Sequence, residues 1–252
     1  MLERIDAKSL TCPGDRKHSH WHVEADALPE RHARDVDYLH SGFAKGHMRN
    51  AADAHHSQAE MDATHDLQNA VPQPQQFNAQ SWEHLEEHAR ELAQEGATVW
   101  IVTLPCRIPQ AKTDAGDVRT WKLIVQAIGP DWIWVQTHLA KSILIETKDG
   151  GRRIESYLAL NSDAAAKSQI DSFLVPTDLI ERHAVLDLWP VPTALKGRAR
   201  EAWLKSRSGS RLRNPDSRAV PPGTRWERAR PEIHGSFPTL SAGSPQWEQR
   251  RS

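Results

Sequence analysis

The chain has 252 residues, a formal net charge of −1 and a mean hydropathy of −0.66. This length allows one sizeable domain with appendages. No apolar run approaches the roughly 18 residues of a membrane span, so no membrane partner is expected. The two cysteines, Cys12 and Cys106, are too few for a disulfide framework, and we interpret both as free thiols.

The charge is divided unevenly along the chain. From Lys196 onward there are 13 Lys or Arg and 5 Asp or Glu, a net charge of +8, while the preceding residues carry −9. The same C-terminal segment is rich in Ser, Arg, Pro and Gly and buries too little apolar surface to fold. We therefore predict a disordered basic tail over 196–252, which either attracts phosphate or is only solvated.

The N-terminal residues are polar, and we predict a flexible leader over 1–20. His18, His20 and His22 alternate, so on a strand they would share one face and could bind Zn²⁺. A polar segment without a metal is the alternative. The first thirty residues show no apolar segment of a secretory signal, which leaves the localisation unknown.

Residues 21–195 are predicted to form one α+β domain. An amphipathic helix over 79–95 ends at Gly96, because Gly commonly follows a helix C-terminus. The tryptophans at 100, 121, 132 and 134 are expected in the core rather than as base-stacking platforms. The other predicted elements are strands at 98–104, 121–128 and 132–136, a hairpin of strands 142–147 and 154–160, and a helix at 177–184 capped by Thr177 or Asp178.

Four residues of the predicted helix, Asn78, Trp82, Glu86 and Arg90, follow one another at intervals of four. Residues at this spacing lie nearly above one another, which makes a mostly polar ladder along one side. Asn78 is predicted at the helix start, where free N–H groups and the dipole favour phosphate. The simpler alternative is a solvated face with a Glu86–Arg90 ion pair.

Three motifs lie at fixed distances from this ladder. They are Lys45-Gly46-His47 with Ala52-Asp53, then Asn69-Ala70-Val71-Pro72-Gln73, then Asn78, Trp82, Leu85 and Glu86. Their order and spacing resemble the DNA/RNA non-specific endonuclease family, which includes secreted bacterial nucleases and endonuclease G. The segments 137–141 and 173–190 extend the resemblance, which covers about 21–192.

The resemblance implies a ββα-metal nuclease fold, in which an antiparallel sheet is flanked by helices. It implies that His47 is the general base, that Asn78 binds Mg²⁺ directly, with Mn²⁺ as a substitute, and that Glu86 holds metal-bound water. Asn69 would position the base and the phosphate. Lys45 and Arg90 would contact phosphate oxygens, and Arg34, which precedes the His47 turn, is placed to line the substrate groove. Such a site touches only phosphate, so cleavage of DNA or RNA with little sequence preference is expected.

The sequence departs from the family pattern at Ala44 and Lys45, where the family has Asp and Arg. Lys keeps the charge but loses the two-pronged grip of Arg on phosphate. One alternative is therefore a relative that binds nucleic acid without cleaving it. Another is a zinc-binding module built on the N-terminal histidines. By resemblance, a homodimer and an inhibitor protein are further candidate partners.

Overall fold

The computed structural model describes residues 1–11, 14–23, 33–54, 56–113 and 119–190, without the side chains of 110–113 and 119–122. The chain divides into two units, Met1–Asn214 and Pro215–Ser252, of which the second lies wholly outside the described residues. The predicted tail over 196–252 and Cys12 also lie outside them. Within the described ranges, no helix is long and apolar enough to cross a membrane.

An antiparallel sheet forms the centre of the described structure. Its strands are β1 (Leu2–Ile5), β4 (Thr98–Cys106), β9 (His138–Glu146) and β10 (Arg152–Leu160), in the order β1-β4-β9-β10. β9 is buried along nearly its whole length because both of its neighbours pair with it. The predicted α+β class with an antiparallel sheet is confirmed, as are the strand after Gly96 and the hairpin turning at residues 149–151.

The first residues differ from the predicted flexible leader over 1–20. Leu2–Ile5 pairs antiparallel with β4 as an edge strand, with Ile5 opposite Val99. Ile5 enters the main core cluster, and Glu3 is buried beside it in the sequence. The buried carboxylate at position 3 hides the strand pattern, because alternation of apolar and polar residues is the signal on which the sequence reading depends.

Six shorter strands pair in twos. Phe43–His47 (β2) pairs with Ala70–Pro74 (β3). Gln110–Thr113 (β5) pairs with Arg119–Lys122 (β6), and Gln126–Ile128 (β7) with Ile133–Val135 (β8). The single strand predicted over 121–128 is wrong, because the chain leaves the strand at residues 123–125, where three aliphatic side chains are exposed.

A long helical segment follows β3 and completes a ββα unit. It consists of Gln75–Phe77 (α3), a π-helical turn at Asn78–Trp82 and Glu83–Gln94 (α4). The helix predicted over 79–95 is confirmed in type, but it begins earlier, so Asn78 lies inside it rather than at its start. Gly96 has φ +101° and follows the C-cap, as predicted.

The π turn frees backbone groups that a regular α-helix would use. The Ser81 N–H donates to the carbonyl of Ala166 at 3.3 Å, and the Ser81 hydroxyl lies 2.7 Å from the same oxygen. A π turn is rare and occurs mostly as a single turn inside an α-helix, frequently at a functional site. The helix is therefore tied at this turn to the segment after β10.

Three further helices complete the described elements: Asp35–Tyr38 (α1), Gln58–Ala63 (α2) and Thr177–Ala184 (α5). The bounds of α5 agree with the prediction, but its cap does not. Pro176 occupies the N-cap position without a side-chain hydrogen bond, and the Thr177 hydroxyl instead lies 2.9 Å from that of Ser156. Short 3₁₀ turns lie at Arg16–His18, Ala51–Asp53, Leu67–Asn69, Asp163–Ala165 and Ile170–Phe173.

The 3₁₀ turn at Arg16–His18 removes the basis of the predicted zinc face. Alternation places residues on one face only in a strand, and His18 ends a turn instead. Across the part of the chain that the structure describes, no group of three or more His, Cys, Asp or Glu is arranged to hold a metal ion. The three-histidine site is therefore corrected.

The main core lies between the long helix and the central sheet. Its helix side consists of Leu85, Ala89, Leu92 and Ala93, whose spacing follows the helical period. Residues of β4 and β9 form the other side. Met48, next to His47, and Phe77, next to Asn78, belong to the same cluster, so one core fixes the neighbours of both candidate site residues.

Gly46 permits close packing of the two strands of the ββα unit. A Cβ atom at this position would lie 2.2 Å from Cδ of Gln73, whose side chain is fully buried. We expect Gly46→Ala to lower the free energy of unfolding by about 1–3 kcal/mol, because overpacked sites must shift their backbone. Urea unfolding measures this.

Gly14→Ala is the matched control, since its nearest neighbours would lie at 3.3 Å or more. An equal loss of stability in both variants would contradict the close contact at Gly46.

Candidate active site

His47 is the last residue of β2, paired with Ala70 of β3. Its ring packs against Trp21 at 4.7 Å and edge-on against His65 at 5.0 Å between centroids. The Nε2 atom is buried and has no hydrogen-bond partner among the described residues. Burial, with smaller contributions from the charges of His65 and Arg16, lowers the pKa of His47 to about 3. The imidazole is therefore neutral at physiological pH, and protonation is disfavoured while the ring stays buried.

Asn69 holds the backbone around His47 in place. Its side-chain Nδ2 donates to the carbonyl oxygens of Arg49 and Thr64 at 2.9 and 2.8 Å, and its Oδ1 accepts from the Arg49 N–H at 2.9 Å. The side-chain amide is buried, and both its nitrogen and its oxygen form hydrogen bonds with backbone groups. Asn69 can therefore position the segment after His47, whereas both of its N–H donors are used by backbone carbonyls and neither is left for a phosphate.

Asn78 differs from Asn69 in that its side chain makes no hydrogen bond within the described ranges and is partly exposed. It lies in the π turn, after the strand that pairs with β2. An accessible amide oxygen without a competing partner suits Mg²⁺, which prefers oxygen ligands and keeps several waters. The donors present fit a hard cation held mainly through water.

Glu86 lies two turns further along the helix and is buried. Its Oε2 accepts a hydrogen bond from Nδ2 of Asn50, and its Oε1 lies 3.9 Å from Nζ of Lys141. Burial raises the pKa of Glu86 to about 7, and the charge of Lys141 opposes this rise. Trp82, one turn earlier, is buried as well, so the alternative of a solvated face with a Glu86–Arg90 ion pair is wrong. This face of the helix points into the protein.

The structure places four further residues near Glu86 to which the sequence analysis gave no role: Lys141, Asn50, Asp53 and Glu3. Lys141 is fully buried, donates to the Thr103 hydroxyl at 3.0 Å and lies 5.1 Å from the ring centroid of Trp82. Asn50 caps the 3₁₀ turn at Ala51–Asp53 through its Oδ1 while Nδ2 reaches Glu86. An Asn before a short turn was the available signal for Asn50.

Three carboxylates and three cations thus meet in a buried charge cluster, which consists of Glu3, Asp53, Glu86, Arg49, Arg90 and Lys141. Arg90 contacts Asp53 at 3.2 Å, and Arg49 Nε lies 3.7 Å from Glu3. The contact of Lys141 with Glu86 completes the set. Arg49 is shared with a fourth carboxylate, Glu60, at 2.5 Å, so the three cations do not balance the carboxylates if all of these groups ionise.

Each cation that was predicted to contact substrate has a carboxylate partner. Lys45 pairs with Asp35 and lies over the rings of Trp21 and Tyr38. Arg34 grips Asp131 with Nε and Nη2 at 2.5 and 2.8 Å. Arg90 pairs with Asp53 in the buried charge cluster. Phosphate oxygens must therefore compete with these carboxylates.

The structure also gives the surroundings of Cys106, His138 and three of the tryptophans discussed above. Cys106 is a buried free thiol whose pKa burial raises to about 11, which makes it unreactive. His138 is partly buried, and its Nδ1 lies 3.0 Å from the Thr137 hydroxyl.

Trp132 and Trp134 are exposed, so the core location predicted for them is wrong. Trp100 is partly buried against a satellite cluster.

The family model of the DNA/RNA non-specific endonucleases matches residues 2–193. Mitochondrial endonuclease G of Bos taurus is 30% identical over 182 residues, which is 72% of this chain and 60% of the relative. The mitochondrial nuclease of Saccharomyces cerevisiae is 35% identical over 197 residues, or 75% and 59% of the two chains. This chain thus spans between 50% and 60% of the length of the curated relatives it matches.

A solved structure is similar as well. A crystal structure of the EndoG/EndoGI complex, which addresses the mechanism of EndoG inhibition, matches with a TM-score of 0.67 and 29% identity. The match covers 74% of this chain and 76% of the other.

Glu3 provides a test of the buried charge cluster, because both of its oxygens are buried without a hydrogen bond. Burial raises its pKa from 4.5 to about 8. Between these values the folded protein holds more protons on this group than the unfolded chain, so the free energy of unfolding falls as pH rises. In Glu3→Gln with EDTA, we expect the decline between pH 5 and pH 8 to be smaller by about 2 kcal/mol.

Urea unfolding at both pH values measures the decline. Glu83→Gln, which changes an exposed glutamate of α4, is the control and should keep the wild-type slope. A wild-type slope in Glu3→Gln would show that Glu3 does not titrate as its burial requires.

Proposed function

Because the chain belongs to the DNA/RNA non-specific endonuclease family, we propose that it is a metal-dependent endonuclease that hydrolyses phosphodiester bonds of DNA and RNA. The observation that carries this proposal is the position of His47, whose Nε2 has no hydrogen-bond partner among the described residues. It ends one strand of the ββα unit, and the accessible amide of Asn78 lies in the helix of that unit.

In the proposed reaction His47 takes a proton from the attacking water. Asn78 would hold Mg²⁺ directly, and Glu86 would hold a water bound to the ion. When present, the ion would stabilise charge on the scissile phosphate and the leaving oxygen. Asn69 positions the segment that follows His47 by holding the backbone of Arg49 and Thr64. The identity of the ion as Mg²⁺, with Mn²⁺ as a substitute, belongs to the proposal.

Substrate binding is proposed at Lys45, Arg34 and Arg90. The Asp35 partner of Lys45 is the most exposed of the three carboxylates, so phosphate displaces it at the smallest cost. Arg90 pairs with the buried Asp53, so it attracts phosphate through its positive charge more readily than it contacts phosphate directly. Binding that touches only phosphate carries no base specificity.

The relatives support part of the proposal on cellular location and protein partners. The mitochondrial relatives favour a mitochondrial location, and the solved EndoG/EndoGI complex favours an inhibitor protein as a partner. A homodimer remains a proposal from the resemblance. The binding-only alternative rests on Ala44 and Lys45, and the relatives named above are all nucleases.

Cleavage and the base are tested together. Supercoiled plasmid and RNA should be cut by the purified protein with Mg²⁺ and left intact with EDTA. His47→Ala should reduce the rate by a factor of about 10²–10⁴, because no base then activates the water. His84→Ala, an exposed histidine on α4, is the matched control and should cut at the wild-type rate. Wild-type protein that binds nucleic acid but cuts neither substrate would establish the binding-only alternative.

The two asparagines are separated by a second test. Asn78→Ala should slow cleavage by a factor of about 100 with unchanged stability, because its amide has no partner in the described structure to lose. Asn69→Ala should lower the free energy of unfolding by about 1–3 kcal/mol, because backbone groups of Arg49 and Thr64 lose their partner. Cleavage rates and urea unfolding of both variants measure this. Loss of stability in Asn78→Ala would remove the argument for a free metal ligand.

A further inference from the structure

Two exposed tryptophans lie at β8. Trp132, just before the strand, is 75% exposed, and Trp134, within the strand, is 46% exposed. Their exposure follows from the strand pleat. Val135 is buried and Ile133 packs against the same small core cluster, so Trp134 between them points to the opposite side. Large indole surface in water is costly, and two such side chains two positions apart need a physical reason.

The turn that presents Trp132 is held rigidly. Trp132 has φ +55°, a conformation that is unusual for a bulky residue. The residue before it, Asp131, donates its N–H to the buried Asp37 at 2.9 Å and is gripped at its carboxylate by Arg34. Asp37 also accepts from the Arg34 N–H at 2.8 Å. The backbone of the turn that carries the exposed indole is therefore held in place through Asp131.

An arginine accompanies the second indole. The guanidinium carbon of Arg107 lies 4.5 Å from the ring centroid of Trp134. Unlike Lys45, Arg34 and Arg90, Arg107 has no carboxylate partner among the described residues and is exposed. A guanidinium next to an aromatic face supplies charge for a phosphate and a stacking plane for a base.

The turn that carries Trp132 is linked to β2 of the candidate active site by two ion pairs. Arg34 contacts Asp131 in the turn, and its neighbour Asp35 contacts Lys45, which lies on the same side of β2 as His47. On its other face, β8 packs against Ala70, the strand partner of His47. The strand that carries Trp134 thus lies next to β3, with the indole on its outer face.

We propose that Trp132, Trp134 and Arg107 form a stacking platform for unpaired nucleotides of a single-stranded DNA or RNA substrate. The choice of ligand rests on the proposed nuclease function. Only an unpaired base can offer its face to an indole, because the bases of a duplex already stack on one another. The platform adds affinity for single strands without reading sequence, since every base has such a face.

Binding is measured with EDTA present, by fluorescence anisotropy of a labelled oligothymidylate of about 12 nucleotides and of a duplex of equal length. The Trp132→Ala/Trp134→Ala double variant should bind the single strand about 5- to 100-fold more weakly and the duplex almost unchanged. Trp134→Phe should retain most of the affinity, because it keeps an aromatic face. Leu186→Ala, at 52% exposure after α5, is the control for loss of exposed apolar surface.

Two results would overturn the platform. One is wild-type affinity of the double variant for the single strand, with thermal melts showing that the variant is folded. The other is a wild-type dimer in sedimentation velocity that dissociates in the double variant while oligonucleotide binding persists. The exposed indoles would then be an interface between two copies of this chain.

The outcome is separable from that of the nuclease proposal. If wild-type protein cuts neither plasmid nor RNA but loses single-strand affinity in the double variant, the cleavage proposal fails and the platform stands. If cleavage occurs and the double variant binds and cuts single strands as wild type does, the platform fails alone.

Discussion

The carboxylate of Glu86 joins the helix, the loop after β2 and the central sheet. It accepts from Asn50 in the loop and faces Lys141 in the middle of β9, and it is buried between them. Each charge in such a place is costly unless the others are present. His47 lies three residues before Asn50, and Asn78 lies two turns before Glu86 on the same helical segment. The geometry of both candidate site residues therefore depends on this one buried contact.

The sequence alone predicted those elements whose pattern lies within a few neighbouring residues. The bounds of α5, the end of the long helix at Gly96 and the hairpin at residues 149–151 follow from periodicity and turn residues. The resemblance indicated His47, Asn69 and Asn78. Asn50 and Lys141 were missed because their partner Glu86 lies far away in the chain, and such pairing leaves no local pattern. The edge strand at Leu2–Ile5 was missed because Glu3 takes a core-facing position.

The cations of the candidate site carry less free charge than their number indicates. Lys45, Arg34 and Arg90 are each neutralised by a carboxylate, whereas Arg107 lies over an indole. A nucleic acid therefore meets a surface with modest net attraction, and ion pairs must rearrange as it binds. When phosphate replaces a carboxylate as the partner of a cation, binding depends less on salt concentration than the number of Lys and Arg residues predicts.

The π turn at Asn78–Trp82 has a consequence for how the helical segment tolerates changes in length. Each residue of an α-helix turns the chain by about 100°, so the wide turn sets the phase of Asn78 relative to Glu86 separately from the rest of the helix. Shortening the turn by one residue would leave α4 seated on the sheet through Leu85 and Ala89 while it rotated Asn78 to another side. Point substitutions and single-residue deletions are therefore unequal changes in this segment, because a deletion moves both the Asn78 amide and its neighbour Phe77 of the core.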